Sequence, residues 1–408
     1  MQEELFARAL GVSEPWFVSG LDFDEAGRRL TIRLDFRRGA RFAQPDDDGV
    51  HPVHDTQIKR YRHLNFFEHE CLLEARVPRV RLPDDRVALV KPPWAGKLSG
   101  FTLLFEALIL AMCREMPFAA VARLTGTSWH RVRAICARYV ELALDLDDLS
   151  GLRHVGIDET SRAKGHNYVT AVADTEGRRL VFLAEGRKSG AVKEFADYLQ
   201  KRGGHPDAIS RATIDMSAAF IKGVADHLPN AELTHDKFHV LALAAKAVDE
   251  TRRLEQRLDP SLKGLRWTLL KNRDSLTPAQ RADLDALVAR VASKRTARAW
   301  LYLQQLREIL NRKQINVVMT MLHQWCTNVN RSKVEPMKTV ASTIRKHRKG
   351  IAAWARTRET NGYPEALNGL FQAAKRKARG YKRFDTICIA YFLVAGKLDF
   401  HKINPNIA

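Results

Sequence analysis

The sequence has few of the residues that stabilise secreted or membrane proteins. Only five of its 408 residues are cysteines, and no Cys-x-x-Cys motif occurs. The five are Cys71, Cys113, Cys136, Cys326 and Cys388. An odd number of isolated cysteines predicts reduced thiols rather than disulfides or a cysteine zinc site. No apolar run has the length of a membrane-spanning helix, since Glu106 interrupts Phe101–Met112, and the N-terminus MQEELFARALGV is acidic. We therefore expect a soluble cytoplasmic protein.

Acidic residues are also in short supply. The chain has 47 Asp and Glu against 67 Lys and Arg, a net charge of +20. This surplus predicts a polyanionic partner, although charge alone does not distinguish RNA from DNA. Hydrophobic residues make up 45% of the chain, enough for a globular protein with room for two to four domains.

Residues 1–98 are predicted to form a β-rich N-terminal module. Apolar and polar residues alternate in Leu30–Phe36, which predicts a strand, and Cys71–Val80 is a second extended run. Arg41–His54, with two prolines and an Asp-rich centre, is predicted to be a loop. The module is either a plain β domain or a DNA-contacting one. Lys59–Phe67, where basic and aromatic residues interleave, supports the DNA-contacting alternative, and the sequence leaves both open.

Residues 99–150 carry the pattern of a helix-turn-helix. Pro117 suits the first turn of one helix, Gly126 ends it, and Ser128 is placed to cap the next. The predicted shared core is Val121, Leu124, Val132 and Ile135. The predicted outer residues of the second helix are His130, Arg131, Arg133 and Arg138. An ordinary helical hairpin would show the same pattern, but the net charge favours a DNA-binding helix in a major groove.

Residues 151–245 change to short strands with two helices. The predicted strands are His154–Asp158, Asn167–Ala173, Arg179–Ala184, Ala212–Asp215 and Ala231–Thr234. The predicted helices are Ala191–Lys201 and one capped by Ser217. The order βββαβαβ, with Asp158 and Asp215 ending the first and fourth strands, is typical of the α/β ribonuclease-H-like (retroviral-integrase-like) fold, in which those strands are neighbours. Asp158 and the adjacent Glu159 form an acidic pair that is costly to bury unless a cation or water stabilises it.

Residues 246–354 are predicted to be a large all-helical region. Thr277-Pro278 is a good helix start, and Leu284, Leu287, Val288 and Val291 recur at helical spacing. Four tryptophans are predicted to lie in the core: Trp267, Trp300, Trp325 and Trp354. Arg331–Lys349 carries seven Lys or Arg, which indicates either a solvated face or a surface for the DNA backbone.

The segment 355–408 contains one amphipathic helix of interest. Asn361-Gly362 is a predicted turn, and Pro364 fits the first helical position. The predicted apolar stripe is Leu367, Leu370, Phe371 and Ala374, and the opposite polar stripe is Glu365, Asn368, Gln372, Lys375 and Arg379. This polar stripe has a carboxylate and amides near the start of the helix and cations near its end. The carboxylate and amides suit a metal ion, and the cations suit a phosphate backbone. The alternative is that Glu365 only complements the helix dipole.

Four stretches in fixed order, GIDE, TIDMSAAF, THDKFHV and TNGYPEALN with KRKARGYKRF, resemble the DDE transposases of bacterial insertion sequences, and among them the ISL-three family. The resemblance implies that Asp158, Asp215 and Glu365 are catalytic and bind metal, with the helical region as an insertion between the last two. It also implies supporting roles for Glu159, for Asp236 and His239 of a DxxH signature, and for Asn368 of an E-x-x-N signature. Implied DNA-binding residues are Arg131, Arg133, Arg138, Lys375, Arg376 and Arg379.

The same resemblance implies a cofactor and partners. Two Mg²⁺ (or Mn²⁺) ions would offset the repulsion of clustered carboxylates, with Asp158 as the shared ligand. The DNA partners would be terminal inverted repeats and a target duplex, held by a homodimer or larger complex. Many relatives carry an N-terminal zinc finger, but Phe42–Gly49 and Arg81–Val87 lack the cysteine pairs, so no zinc is expected.

Two other functions share these features. A structure-specific nuclease of the same fold would not need the N-terminal DNA-reading modules. A non-catalytic DNA-binding repressor would not need all three carboxylates. Glu335 and Glu359 also lie near the end of the insertion, but Glu335 is predicted in a loop before a proline and Glu359 precedes the turn, so the packed helix favours Glu365.

Overall fold

The computed structural model describes residues 2–45, 47–163, 167–186, 190–289, 295–357 and 362–407. Val291, Glu359 and Asn361 of the predictions above lie outside these ranges. The chain divides into two compact units. The first unit is Met1–Asp147 with Ala373–Ala408, and the second is Asp148–Gln372. The predicted domain boundaries after residues 98, 150, 245 and 354 stay predictions.

The first unit begins with a helix and a six-stranded sheet. These elements are α1 (Gln2–Ala9), β1 (Trp16–Asp24), β2 (Arg29–Phe36), β3 (Arg41–Gln44), β4 (Asp47–Arg62), β5 (Glu70–Arg81) and β6 (Val87–Leu89). The strand order is β1-β2-β5-β4-β3, with β6 also paired to β5. Strands β2 and β5 are parallel and the other pairs are antiparallel.

Strands β2 and β5 confirm the two predicted strands, and the even residues Leu30 to Phe36 are buried as the alternation requires. The loop prediction for Arg41–His54 is wrong, because β3 pairs with the start of β4. Pro52 is tolerated there because pairing of β4 with β5 begins only at Val53, so no second strand requires its missing N–H.

Three helices follow the sheet: α2 (Leu103–Glu115), α3 (Phe118–Thr125) and α4 (Trp129–Asp145). Gly126 ends α3 with a left-handed φ of 64°, and the Ser128 side chain accepts a hydrogen bond from the Arg131 N–H at the start of α4. Both predicted signals are therefore confirmed. Val121, Val132 and Ile135 are buried as predicted, but Leu124 is 64% exposed, so its predicted place in the core is wrong.

The second unit contains a five-stranded sheet with two helices. Its elements are β7 (His154–Ala163), β8 (Asn167–Asp174), β9 (Arg179–Glu185), α5 (Gly190–Lys201), β10 (Arg211–Ile214), α6 (Ala218–His227) and β11 (Glu232–His235). The strand order is β11-β10-β7-β8-β9. Strands β7, β8 and β9 form an antiparallel meander, while β10 is parallel to both β7 and β11. All five predicted strands are confirmed, and so is the adjacency of the first and fourth.

The rest of the second unit is helical, and the last of its helices ends with residues that belong to the first unit. The helices are α7 (Lys237–Gln256), α8 (Arg266–Leu270), α9 (Pro278–Ala289), α10 (Arg295–Asn311), α11 (Ile315–Asn330), α12 (Glu335–Thr357) and α13 (Gly362–Lys377). Short 3₁₀ turns lie at Pro206–Ala208, Pro260–Leu262 and Arg273–Ser275. Glu335, predicted in a loop, is the first residue of α12, where the proline that follows it is compatible with the helix start.

Three of the four tryptophans confirm the predicted helical core. Trp300, Trp325 and Trp354 are buried, and the last two donate their indole N–H groups to the carbonyls of Tyr302 and Leu310. Trp267 is 63% exposed, so its predicted core position is wrong. It lies on the five-residue helix α8, and the Arg266 guanidinium covers its ring at 5.0 Å.

The last helix, α14 (Phe384–Ala395), belongs to the first unit. Asp385 on α14 pairs with Arg133 on α4 at 2.7 Å. Beyond α14, the Asn404 amide donates to the Tyr139 hydroxyl at 2.9 Å and to the Leu103 carbonyl at 2.8 Å. These contacts explain why the C-terminus clusters with the N-terminal unit. Within the described ranges, no helix combines the length and apolarity needed to span a bilayer.

Candidate active site

Two carboxylates lie at the same edge of the second sheet. Ile157 of β7 is in register with Ile214 of the parallel strand β10, so the next residues, Asp158 and Asp215, occupy neighbouring positions. Asp215 immediately follows its strand, and its Oδ1 accepts the Ser217 N–H at 2.8 Å, which fixes the turn into α6. The predicted pairing of these two aspartates is therefore present in the backbone register.

Helix α13 lies against β7 with matched spacing. Asn368 Nδ2 donates to Asp158 Oδ2 at 2.7 Å, and Gln372 Nε2 donates to Thr160 Oγ1 at 2.7 Å. Two residues of a strand span about 6.6 Å, and four residues of a helix span about 6 Å. Because these lengths are nearly equal, every second residue of β7 can contact every fourth residue of α13. These hydrogen bonds fix the position of the helix relative to the strand.

The close approach of α13 to β7 requires a glycine. A Cβ on Gly156 would lie 2.6 Å from Pro364 Cγ and 3.2 Å from Thr175 Cγ2. The absence of a side chain therefore lets the first turn of α13 rest on β7. Since Glu365 follows Pro364, this contact sets the position of Glu365 relative to Asp158.

The predicted faces of α13 need correction. Pro364, Leu367, Asn368 and Phe371 are the buried positions, while Leu370 is 53% exposed. Asn368 was expected on an outward polar stripe, but its amide is satisfied by Asp158 inside the unit. Pro364 is the third residue of α13 rather than the first, and Arg379 lies beyond the helix end, with a left-handed φ of 57°.

The surroundings of Asp158 disfavour the charged form of its carboxyl group. Burial, with a smaller contribution from the negative charge of Glu365, raises the pKa of Asp158 to about 6. Hydrogen bonds from the Glu159 N–H and the Asn368 amide, together with the imidazole of His239, oppose this rise. Asp158 is thus a partly buried carboxylate without a full counter-charge, a frequent property of functional sites.

The two residues of the DxxH signature have separate places. Asp236 is fully buried and caps α7, with its Oδ1 accepting the Phe238 N–H at 2.7 Å. His239 Nε2 lies 3.5 Å from Glu365 Oε1. This buried nitrogen makes no hydrogen bond to any residue that the structure describes. His239 therefore belongs to the site, whereas Asp236 shapes the helix that carries it.

The other acidic candidates differ in position. Glu159 follows Asp158 in a strand, where successive side chains alternate between faces, so the two carboxylates do not form one cluster. The Glu159 backbone N–H is the group that contacts Asp158. Glu335 is exposed at the start of α12 and pairs with Lys338 at 2.7 Å.

His235 was not predicted as a site residue. It is fully buried at the end of β11, and its Nδ1 lies 3.1 Å from the backbone carbonyl of Asp215. A Cβ on Gly350 of α12 would lie 2.6 Å from His235 Cδ2. His347, where α12 is kinked, contacts the His235 ring edge-to-face at 5.4 Å. In the sequence, the only signal for His235 is its position next to Asp236, because the residues that it contacts are distant along the chain.

The donor set suits a hard divalent cation. Asp158, Asp215 and Glu365 offer oxygen atoms, which Mg²⁺ prefers, and the raised pKa of Asp158 shows that its charge is incompletely compensated. Within the described ranges, no three His, Cys, Asp or Glu side chains are already gathered as a metal-binding cluster.

The predicted DNA-binding arginines of α4 are held by protein groups. Arg131 is exposed, donates to the Ser99 carbonyl at 2.7 Å and stacks over Phe101 at 4.2 Å. Arg133 is only half-exposed, because its guanidinium contacts Asp385 and Thr386. Arg138 pairs with Glu141 on the helix surface. The prediction that these arginines lie on the outside of α4 therefore fits the exposed Arg131 and Arg138 better than Arg133.

The basic residues at the end of α13 belong to the first unit. Lys375 and Arg376 lie in the last turn of α13. Burial lowers the pKa of Lys375, and the positive charge of Arg376 makes a smaller contribution in the same direction. Neighbouring cations of this kind suit a phosphate backbone.

A helix-turn-helix in one unit and a strand-end carboxylate pair in the other are the features of a DNA-processing enzyme. A family model described as transposase, of the DDE type and the ISL3 group, matches residues 155–390. A second model, the helix-turn-helix domain of transposase family ISL3, matches residues 90–140. The first match covers more than half of the chain. The chain belongs to the ISL3 transposase family, the ISL-three family of the sequence analysis, and its function is DNA transposition.

Two full-length relatives agree with this assignment. The chain is 26% identical over 394 residues to the transposase for insertion sequence element IS1001 of Bordetella parapertussis, covering 94% of this chain and 96% of that protein. It is 28% identical over 434 aligned positions to the transposase for insertion sequence element IS1557 of Mycobacterium tuberculosis, covering 96% and 95%.

Proposed function

We propose that the second unit is a ribonuclease-H-like catalytic core that cleaves and joins DNA strands at the ends of an insertion sequence, with Asp158, Asp215 and Glu365 as its catalytic carboxylates. The observation that carries this proposal is the alignment of β7, β10 and α13. Asp158 and Asp215 share one sheet edge, and the Asn368–Asp158 hydrogen bond and the Gly156–Pro364 approach bring the start of α13, with Glu365, to the same strand.

Asp158, Asp215 and Glu365 are the residues that would hold divalent Mg²⁺ or Mn²⁺ ions. Such ions activate water, orient the scissile phosphate and stabilise the leaving 3′ oxygen. The protein supplies positioning. Asn368 and the Glu159 N–H favour the ionised form of Asp158, the Ser217 N–H orients Asp215, and α13 keeps Glu365 on a packed helix.

DNA recognition falls to the first unit in this proposal. Helix α4 would enter a major groove, and the β-rich module would add contacts to the inverted repeats. Lys375, Arg376 and Arg379 would bind the phosphate backbone, which positions a duplex without reading its sequence. Because two element ends have to be joined, a homodimer or larger complex is the expected assembly. Zinc is not part of the proposed cofactor set.

Separate variants test the three carboxylates. Asp158→Asn, Asp215→Asn and Glu365→Gln should each abolish Mg²⁺-dependent cleavage of DNA carrying the element's end, while a gel shift of that DNA persists. Glu335→Gln is the matched control and should cleave normally, since Glu335 is exposed and paired with Lys338. A chelator should stop cleavage and leave the gel shift intact. Cleavage by any of the first three purified variants would remove that residue from the catalytic set.

A further inference from the structure

A groove in the second unit lies between the N-terminal part of α7 and the C-terminal part of α10. Its volume is about 820 Å³, and its lining includes Phe238, Leu241 and Ala245 of α7 and Trp300 and Gln304 of α10. The residues 238, 241 and 245 share one face of α7 at helical spacing. This volume lies in the range of pockets that hold small ligands, roughly 300–1,000 Å³.

Two buried donors in the lining are unused. The indole N–H of Trp300, a residue only 4% exposed, has no acceptor among the residues that the structure describes. The same holds for Nε2 of Gln304, whose Oε1 already accepts from Arg307 at 3.2 Å. Buried donors without acceptors are costly in a native protein, so each unused donor calls for an acceptor that the described residues do not supply, either a water or a ligand.

The rest of the groove lining combines an exposed aromatic ring with charged side chains of both signs. The Phe238 side chain lines the groove and is 52% exposed, so its ring is open to a partner. Lys237 lies over the Phe238 ring at 5.5 Å, and Arg273 lines the groove from the 3₁₀ turn. Asp274 and Glu308 also line the groove and offer acceptors.

A nucleobase matches this combination. It has a π-face that stacks on an aromatic ring, edge acceptors that would receive the Trp300 and Gln304 donors, and an attached phosphate that suits Lys237 and Arg273. The place of the groove points the same way. Phe238 directly precedes His239, which contacts Glu365 in the candidate active site. A strand held for cleavage there has its neighbouring nucleotides within reach of α7.

We propose that the groove between α7 and α10 binds one unpaired DNA base next to the cleavage site, with Phe238 as the stacking ring and Trp300 and Gln304 as hydrogen-bond donors. This inference rests on the proposed function, because it takes DNA in the active site as given. It assigns to helices α7 and α10 a binding role that the three carboxylates do not supply.

The test measures DNA affinity in EDTA, so that it does not depend on cleavage. The probes are two short duplexes of the same element-end sequence, one fully paired and one with a single C·A mismatch at the cleavage position. The wild-type protein should bind the mismatched duplex about tenfold more tightly, within the range that base–aromatic stacking supplies. Phe238→Ala and Trp300→Phe should each reduce this preference to about twofold or less.

Trp267→Phe is the matched control, because Trp267 is an exposed tryptophan of the same unit that does not line the groove. It should keep the full preference. Thermal melting checks that Trp300→Phe folds, and if it does not, Phe238→Ala decides, since its ring is half exposed. A wild-type protein without the preference, or groove variants that retain it, would overturn the proposal. The proposed function fails by a different result, namely cleavage by the carboxylate variants.

Discussion

Asp158 is subject to two opposing demands at the scale of a single residue. Its place in a buried strand disfavours the charged form, while its proposed role requires a carboxylate. The structure resolves part of this conflict with the Asn368 amide and the Glu159 N–H, which both donate to it. These two donors do not fully offset the cost of burying the charge, and the pKa of Asp158 is therefore raised to about 6. In the proposed role, a carboxylate held in this way would bind a cation at the expense of stability without metal.

This conflict predicts a pH-dependent effect of Asp158→Asn on stability without metal. The folded pKa is about 6 and the ordinary value is 3.8, so the stabilising contribution is complete below about pH 4 and lost as the pH rises through 6. The shift corresponds to about 3 kcal/mol at most, and partial exposure reduces our expectation to about 1–2 kcal/mol. Because Asn cannot ionise, the variant should melt at a higher temperature than wild type at pH 7.5, and the difference should shrink towards pH 4.

Melting curves in EDTA at several pH values measure this difference. Asn368→Leu provides the complementary variant. It removes a donor to the ionised form, so the pKa of Asp158 should rise and the loss of stability with pH should be larger than in wild type. A melting difference between Asp158→Asn and wild type that does not change with pH would contradict the buried position of the charge.

At the scale of elements, the sequence correctly predicted the strands and the helix cap that depend on interactions between residues close together in the chain. The strands β7 to β11 and the cap at Ser128 follow from alternation and from a side chain that bonds its own helix start. The buried face of α13 could not be derived in this way. Asn368 is buried because a strand more than two hundred residues earlier offers Asp158 as an acceptor, so its polarity misled a prediction based on spacing. The core predictions for Leu124 and Trp267 were wrong for the converse reason: both side chains are apolar, but the fold leaves them exposed.

The contact between α12 and β11 also depends on tertiary structure. His235 holds the Asp215 carbonyl, and the imidazole fits only because Gly350 has no side chain. Thr234 of β11 meets Thr357 of α12 by a hydroxyl contact at 3.4 Å, and Arg356 pairs with Glu232, so α12 follows the edge strand. The turn that carries Asp215 is thus supported by a helix of the insertion.

Gly350→Ala should therefore lower cleavage without touching a catalytic residue. Alanine in a helix interior usually stabilises a protein by about 0.5–1 kcal/mol relative to glycine. Here the added Cβ would displace the His235 ring, so we expect at least a tenfold lower cleavage rate with unchanged DNA affinity. His235→Asn, which retains a donor, should lose less activity than His235→Ala. Gly190→Ala at the start of α5, where a Cβ meets nothing within 4 Å, is the control. Normal cleavage by Gly350→Ala would show that the His235 contact does not position Asp215.

At the scale of the whole molecule, the net charge of +20 and the division into two units suggest a division of labour. Binding to DNA through many phosphate contacts weakens steeply as salt rises, whereas base contacts determine which sequence is preferred. Variants in the first unit should thus change affinity or specificity, and variants of the three carboxylates should change chemistry alone. The sequence predicted a polyanionic partner from its charge, and DNA from the helix-turn-helix pattern and the family resemblance, but it did not predict which arginines are available to bind DNA.

The arginines of α4 provide the last prediction. Residues at the start of a recognition helix contact base edges, and Arg131 is the third residue of α4 and is exposed. Arg131→Ala should cost about 1–3 kcal/mol in binding the element's end and relax the preference over unrelated DNA. Arg133 is instead half-buried against Asp385 on α14. Arg133→Ala should lower the melting temperature, by about 1 kcal/mol of stability, and leave the sequence preference unchanged.

Fluorescence anisotropy with end and scrambled duplexes at two salt concentrations separates these outcomes. Arg8→Ala is the control, because Arg8 is an exposed arginine of the same unit that pairs with Glu4 on α1, outside the helix-turn-helix. It should change neither preference nor melting temperature beyond the small loss of one exposed ion pair. If Arg131→Ala weakens both duplexes equally, Arg131 binds phosphate rather than a base. If the Arg131 and Arg133 double variant binds both duplexes like wild type, α4 is an ordinary helix of a hairpin, and recognition lies in the β-rich module, where Lys59–Phe67 becomes the next segment to alter.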